Sequence, residues 1–121
     1  MTLAQCRPRI LDKDWTSWVH ELPCVVTGRI GEGVQQAHIR YVDHEADKPL
    51  TGMGRKPDDR YSLPLWWEQH QRQHSMNERE FWEREGKNPL LICARLQELF
   101  PDTHAATIFI LAQIDPKWRR R

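Results

Sequence analysis

The sequence predicts an α+β domain in which a strand pair feeds a histidine-bearing helix and further helices flank the unit. Three observations predict it. Residues 34–41 alternate in a strand-like way and carry His38 near their end. A long polar stretch without periodicity follows, and residues 60–65 then read as a second strand. That strand runs directly into a charged segment with His70 and His74 four residues apart, a spacing that puts both imidazoles on one helical face.

The elements follow in order. Residues 1–11 show no period and read as an irregular arm. Asp12 or Asp14 can cap a short helix whose apolar stripe is Trp15, Trp18, Val19 and Leu22, and Pro23 ends it. Cys24-Val25-Val26-Thr27 is β-branched and strand-like, and residues 28–33 form a glycine-rich turn. Residues 42–59 hold acids, prolines and Thr51-Gly52-Met53-Gly54; a loop this long in a compact domain is usually functional or mobile. Pro64 falls near the end of the second strand, where a missing N–H costs least.

Residues 66–75 form the histidine helix. Ser75 or Asn77 can cap the next one, which has Glu78 and Glu80 in its first turn, carries Phe81 and Trp82, and stops at Gly86. Asn88-Pro89 opens another helix, with proline at its favoured first position and an apolar face of Leu91, Ile92, Leu96, Leu99 and Phe100. Pro101-Asp102 breaks it. Residues 103–114 read as a last helix, although Ile108-Phe109-Ile110-Leu111 would also suit a strand.

Bulk properties bound the function. The 121 residues make one domain (1–121), within which 22–89 form the core unit and 90–121 a C-terminal helical extension. With 39% hydrophobic and 29% charged residues the chain has the composition of a folded globular protein. The formal net charge of +1 gives no argument for nucleic-acid binding from overall charge, which must come from local clusters. There are two: Arg55-Lys56 in the loop, and Lys117 with Arg119-Arg120-Arg121, a tail that better suits a solvated end than a specific site. Cys6, Cys24 and Cys93 form no C-x-x-C pair, and an odd count without a signal peptide points to a reducing, cytoplasmic setting. The apolar run 105–112 is far too short for a membrane span, so no membrane partner is expected.

The chemistry the residues can carry is phosphodiester hydrolysis, which needs a base for water, a cation for the developing charge, and groups that position the phosphate. His38 is the base candidate, since a neutral imidazole titrates near neutrality. His70 and His74 are the metal candidates, and two imidazoles leave open positions for water and phosphate. Asp58 and Asp59 can complete the metal shell or fix the loop, or can simply satisfy turn backbone as acids there commonly do. Arg40, Arg55, Lys56 and Arg72 are candidate DNA phosphate contacts, each of which also suits a solvated surface. His38, His70 and His74 are expected around one cleft. Gly52-Met53-Gly54 lacks the Walker lysine spacing, and neither Cys24 nor Cys93 sits in a nucleophile signature.

Ala37-His38-Ile39-Arg40, the loop 51–59, Leu63-Pro64-Leu65, His70-x3-His74 with Ser75-Met76-Asn77-Glu78, and Phe81-Trp82 together resemble small phage and prophage proteins related to the recombination-enhancement HNH nucleases of phages. The similarity spans about residues 22–89. It implies a ββα-metal (HNH-like) core and divalent-metal-dependent DNA cleavage, with magnesium or manganese as cofactor and DNA as partner. It also implies a place in phage DNA processing or recombination, with phage or host recombination proteins as possible company. By resemblance His38 matches the water-activating histidine, Asp59 stands near the loop-bracing asparagine, and His70 and His74 match the helix ligands. An alternative assignment makes His38 a ligand and His44 the base. The departures are Ala37, where relatives carry a metal-ligating acid or histidine, and Thr27 and Trp66, where a zinc knuckle would need cysteines. No structural zinc is therefore expected. The competing expectation is a catalytically inactive DNA- or protein-binding module that keeps the fold.

Overall fold

A computed structural model of the chain describes residues 12–40 and 60–119. The expectations that fall on the N-terminal arm, the loop 42–59 and the last two arginines lie outside these residues. Those expectations include Asp58, Asp59, Arg55, Lys56 and His44. The described chain is mixed α+β: α1 (Lys13–His20), β1 (Val34–His38), β2 (Ser62–Trp66), α2 (Trp67–His74), α3 (Glu78–Glu85), α4 (Pro89–Leu99), α5 (Thr103–Ala112) and α6 (Pro116–Arg119). The strands pair antiparallel, with Val34 opposite Trp66, Gln36 opposite Pro64 and His38 opposite Ser62.

Helix starts follow local chemistry. Asp12, Asn77, Asn88 and Asp102 each accept a backbone N–H from the first turn of the helix they precede, which satisfies donors that have no intrahelical partner. Gly86 ends α3 in the left-handed conformation at φ 70°, which costs glycine nothing sterically. α2 has no side-chain cap. Its start is fixed instead by the strand running into it, with Trp67 N–H bonded to the Gly33 carbonyl at 2.8 Å.

One hydrophobic core joins α1, both strands and α3 to α5. Residues of the C-terminal helices, Leu90, Ile92, Leu96, Ala106, Ile110 and Ile114, share it with Leu63, Leu65 and Trp15. An aromatic clamp closes one side. The rings of Trp15, Trp18 and Phe100 lie 5.0–5.6 Å apart by centroid, and the Arg60 guanidinium sits 4.6 Å from the Phe100 ring centre. Arg60 also pairs with Asp12, the α1 cap. Trp15 Nε1 donates to Ser62 Oγ and Trp18 Nε1 to Thr103 Oγ1, both at 3.0 Å.

Two sequence expectations are corrected. Residues 24–27 are a tight turn, and no strand forms there. Val26 and Thr27 N–H groups point to Cys24 Sγ at 3.4 and 3.3 Å, and Gly28 N–H to the Cys24 carbonyl at 2.9 Å. One cysteine side chain and its own carbonyl thus take three donors, and this local competition overrides the strand propensity of Val25, Val26 and Thr27. In α4 the buried face is Leu90, Ile92, Cys93 and Leu96, whereas Leu91 is 59% exposed. The apolar run there is continuous, so the sequence pattern left the phase of the buried stripe ambiguous by one residue.

Candidate functional site

The histidine pair sits where β2 passes into α2. His70 and His74 occupy one face of the helix, with their Nε2 atoms 3.1 Å apart and ring centroids 4.8 Å apart. Across the pair, from β1, the Gln35 side-chain oxygen lies 2.7 Å from His70 Nδ1. That oxygen accepts, so Nδ1 carries the proton and His70 Nε2 keeps its lone pair turned toward His74. An outer partner that fixes the tautomer in this way is the usual companion of a metal-binding imidazole.

Burial pushes the His70 imidazole below its ordinary value, and the neighbouring charges of His74, His38 and Arg40 push in the same direction. His70 therefore stays neutral, with its lone pair free, to lower pH than a solvated histidine.

Along β1, Val34 and Ala37 are buried, Gln36 and His38 are half-buried, and the exposed Gln35 is the residue that reaches His70. Ala37 is 1% exposed and belongs to the core. Among the described residues, no group of three or more His, Cys, Asp and Glu side chains is arranged to hold a metal ion. The structure thus brings His70 and His74 together, leaves His38 at the end of β1 and, among the described residues, adds no third protein ligand.

The basic candidates divide as well. The Arg40 backbone N–H lies 3.2 and 3.3 Å from the two Glu78 carboxylate oxygens, and Glu78 also accepts from Gln73 Nε2 at 3.2 Å. Glu78 therefore ties the exit of β1, just past His38, to α3. Arg72 is committed to the scaffold: it bonds Glu85 and Gln69, each at 2.6 Å, and lies 4.7 Å from the Phe81 ring centre. Glu85, only 6% exposed, needs that cation, so Arg72 is a strut between α2 and α3 and is not free to reach a phosphate. Gln35 and Glu78 were not singled out from sequence. Only pairing and packing show that a strand glutamine faces His70 and that a first-turn acid of α3 reaches Arg40.

In the Cys24 turn two N–H groups are directed at one sulfur. The position three residues on is Thr27, whose hydroxyl accepts the Arg29 N–H at 3.2 Å. Trp66, the other position of interest, lays its ring over Gly33; a Cβ on that glycine would come within 2.5 Å of it.

Fold and site together define a small α+β domain built on an antiparallel strand pair and a helix that presents two converging imidazoles. The chain belongs to the DUF968 family, whose model, described as a protein of unknown function, matches residues 5–100. No curated protein and no solved structure matches the chain. No described helix is long and apolar enough to cross a membrane.

Proposed function

We propose that the protein is a divalent-metal-dependent DNA endonuclease or nickase with an HNH-like ββα core, acting in phage or prophage DNA processing or recombination. The observation that carries this reading is the His70–His74 pair with Gln35 behind it. A 3.1 Å separation matches two cis ligands that each stand about 2.0–2.1 Å from one ion. The donor set thus fits a cation held by two nitrogens, with the remaining positions left to water, phosphate or the loop that carries Asp58 and Asp59.

A divalent cation there supplies electrostatic stabilisation of the charge that builds on the phosphate and on the leaving oxygen. The chain's own groups do the rest. His38, in its neutral form, takes a proton from water. The water oxygen bonds to phosphorus as its proton passes to His38, the P–O3′ bond breaks, and O3′ takes up a proton from solvent, so that a 5′-phosphate and a 3′-hydroxyl result. Gln35 holds His70 in the tautomer that can bind, and Glu78 fixes the chain just past His38. Arg40, with Arg55 and Lys56 of the loop, supplies phosphate contacts.

A second reading draws on Ala37. With that side chain apolar and buried, and with no third ligand among the described residues, a binding module that keeps the fold without the chemistry is the alternative. The test separates the two. Purified protein is incubated with plasmid and branched DNA in magnesium or manganese. Cleavage is expected, and His38→Ala is expected to slow it about 10²–10⁴-fold while cation binding persists. His74→Ala should instead weaken cation binding, so that raised manganese restores part of the rate. DNA binding without cleavage in any metal would replace the nuclease by the binding module.

A further inference from the structure

A cavity of about 460 Å³ opens on the far side of α2 from the histidine pair, lined by Thr27, Gly28, Arg29, Trp66, Glu68, Gln69 and Trp118. We propose that it receives a single unstacked nucleobase from a DNA strand. The proposal deepens the nuclease reading by naming how the strand is held, but it can stand or fall separately.

The walls set the ligand's shape. Trp66 and Trp118 offer indole surface, and the Arg29 guanidinium lies 4.1 Å from the Trp66 ring centre. Flat aromatic and guanidinium surfaces of this kind stack bases, which is how proteins without deep grooves hold single strands. The volume falls in the ~300–1,000 Å³ range of small-molecule sites. Gly33 and the Arg29 guanidinium both pack against the Trp66 ring, so the surface offered to a base is the outer face of the guanidinium together with the Trp118 ring.

The polar groups set its chemistry. Arg29 is exposed and meets no carboxylate among the described residues. Gln69 has its oxygen occupied by Arg72, which leaves its amide N–H groups as donors. Glu68 is the lone acid in the lining. Donors alone would suit a phosphate or carboxylate. A carboxylate among them repels an anion but accepts from an exocyclic amine, so the mixed set fits a base edge.

The test is a short single-stranded deoxyoligonucleotide containing 2-aminopurine, titrated with the full chain in a chelator so that no cation contributes. Stacking in the cavity is expected to quench the probe. Arg29→Ala and Trp118→Leu should each weaken binding about tenfold, the usual scale for losing one stacked base. Arg29 is exposed, so its variant keeps the fold even if the tryptophan variant does not, and circular dichroism checks both. An oligonucleotide of the same length made of abasic residues should bind more weakly and equally to all three proteins. Unchanged affinity in Arg29→Ala, or equal affinity for the abasic strand, would overturn the base pocket in favour of simple phosphate attraction. Quenching without any cleavage would leave the pocket standing and remove the nuclease; cleavage with unaltered binding in the variants would do the reverse.

Discussion

The aromatic clamp and the histidine helix use much the same residue types and end in opposite states. In the clamp, both indole N–H groups have hydroxyl partners, the Arg60 guanidinium has a carboxylate and two aromatic rings, and the Arg60 carbonyl accepts from Cys93 Sγ and Gln97 Nε2 at 2.8 and 2.7 Å. Around α2, by contrast, two imidazoles turn nitrogens on each other, Arg29 stacks without a carboxylate, and Trp118 keeps a buried N–H unmet. A buried polar group costs stability until something satisfies it. The clamp satisfies its groups internally and is scaffold. Around α2 the Arg29 guanidinium has no carboxylate partner and the Trp118 N–H no hydrogen-bond partner among the described residues, which is the condition a binding site requires.

The largest effect that sharpens this contrast is Trp15→Ala. Trp15 is fully buried, stacks with Trp18 and Phe100, and holds Ser62 at the start of β2. Loss of a core tryptophan costs about 3–5 kcal/mol, so urea unfolding should shift its midpoint by a large fraction of the total range. An equal cost for Arg29→Ala would break the contrast, because it would make the stacked arginine scaffold too.

Ala37→Asp comes next. Position 37 is buried in β1 two residues from Gln35, the partner of His70, so the substitution tests whether a carboxylate placed there reaches the histidine pair. In chelator the buried charge should destabilise the fold by about 2 kcal/mol or more. Manganese should recover part of that loss, since an ion that binds only the folded state stabilises it. Equal unfolding midpoints with and without manganese would show that residue 37 does not reach the site. A smaller change is expected for Asp12→Ala, which removes both the α1 cap and the Arg60 partner. The cost should be about 1–2 kcal/mol, read again from denaturant midpoints.

Much of the scaffold was legible in sequence because its signals are local. Asp12, Asn77, Asn88 with Pro89, and Gly86 mark helix ends through bonds to neighbours within a few residues. The H-x3-H spacing likewise fixes a shared helical face by geometry alone. What failed to show was non-local or competitive. The Cys24 turn depends on a thiol outbidding strand pairing, and the Arg72 strut depends on Glu85 lying thirteen residues away. Gln35 reaches His70 across thirty-five residues, and the cavity gathers Arg29, Trp66 and Trp118 from three separate stretches of chain. No periodicity encodes such meetings; only the packed fold produces them.

The smallest effect concerns pH, and its sign follows from His70. Burial first, then the charges of His74, His38 and Arg40, lower its pKa in the folded state from the ordinary 6.5. As pH falls below that ordinary value, the unfolded chain takes up a proton that the folded chain refuses. Stability is therefore present above about pH 6.5 and declines as pH falls toward the lowered folded value, below which both states are protonated and the decline from this group ends. In NMR titration, the His70 ring signals should move at lower pH than those of a solvated histidine. Gln35→Leu should keep the burial but remove the acceptor at Nδ1, which frees the tautomer and weakens cation binding more than it weakens the fold. The clamp contains no histidine, so Trp15→Ala should lower stability by a similar amount at pH 5 and pH 7. A pH-dependent loss in that variant would mean that clamp and histidine helix are coupled, and the division of the molecule into a saturated scaffold and an unsaturated site would have to be withdrawn.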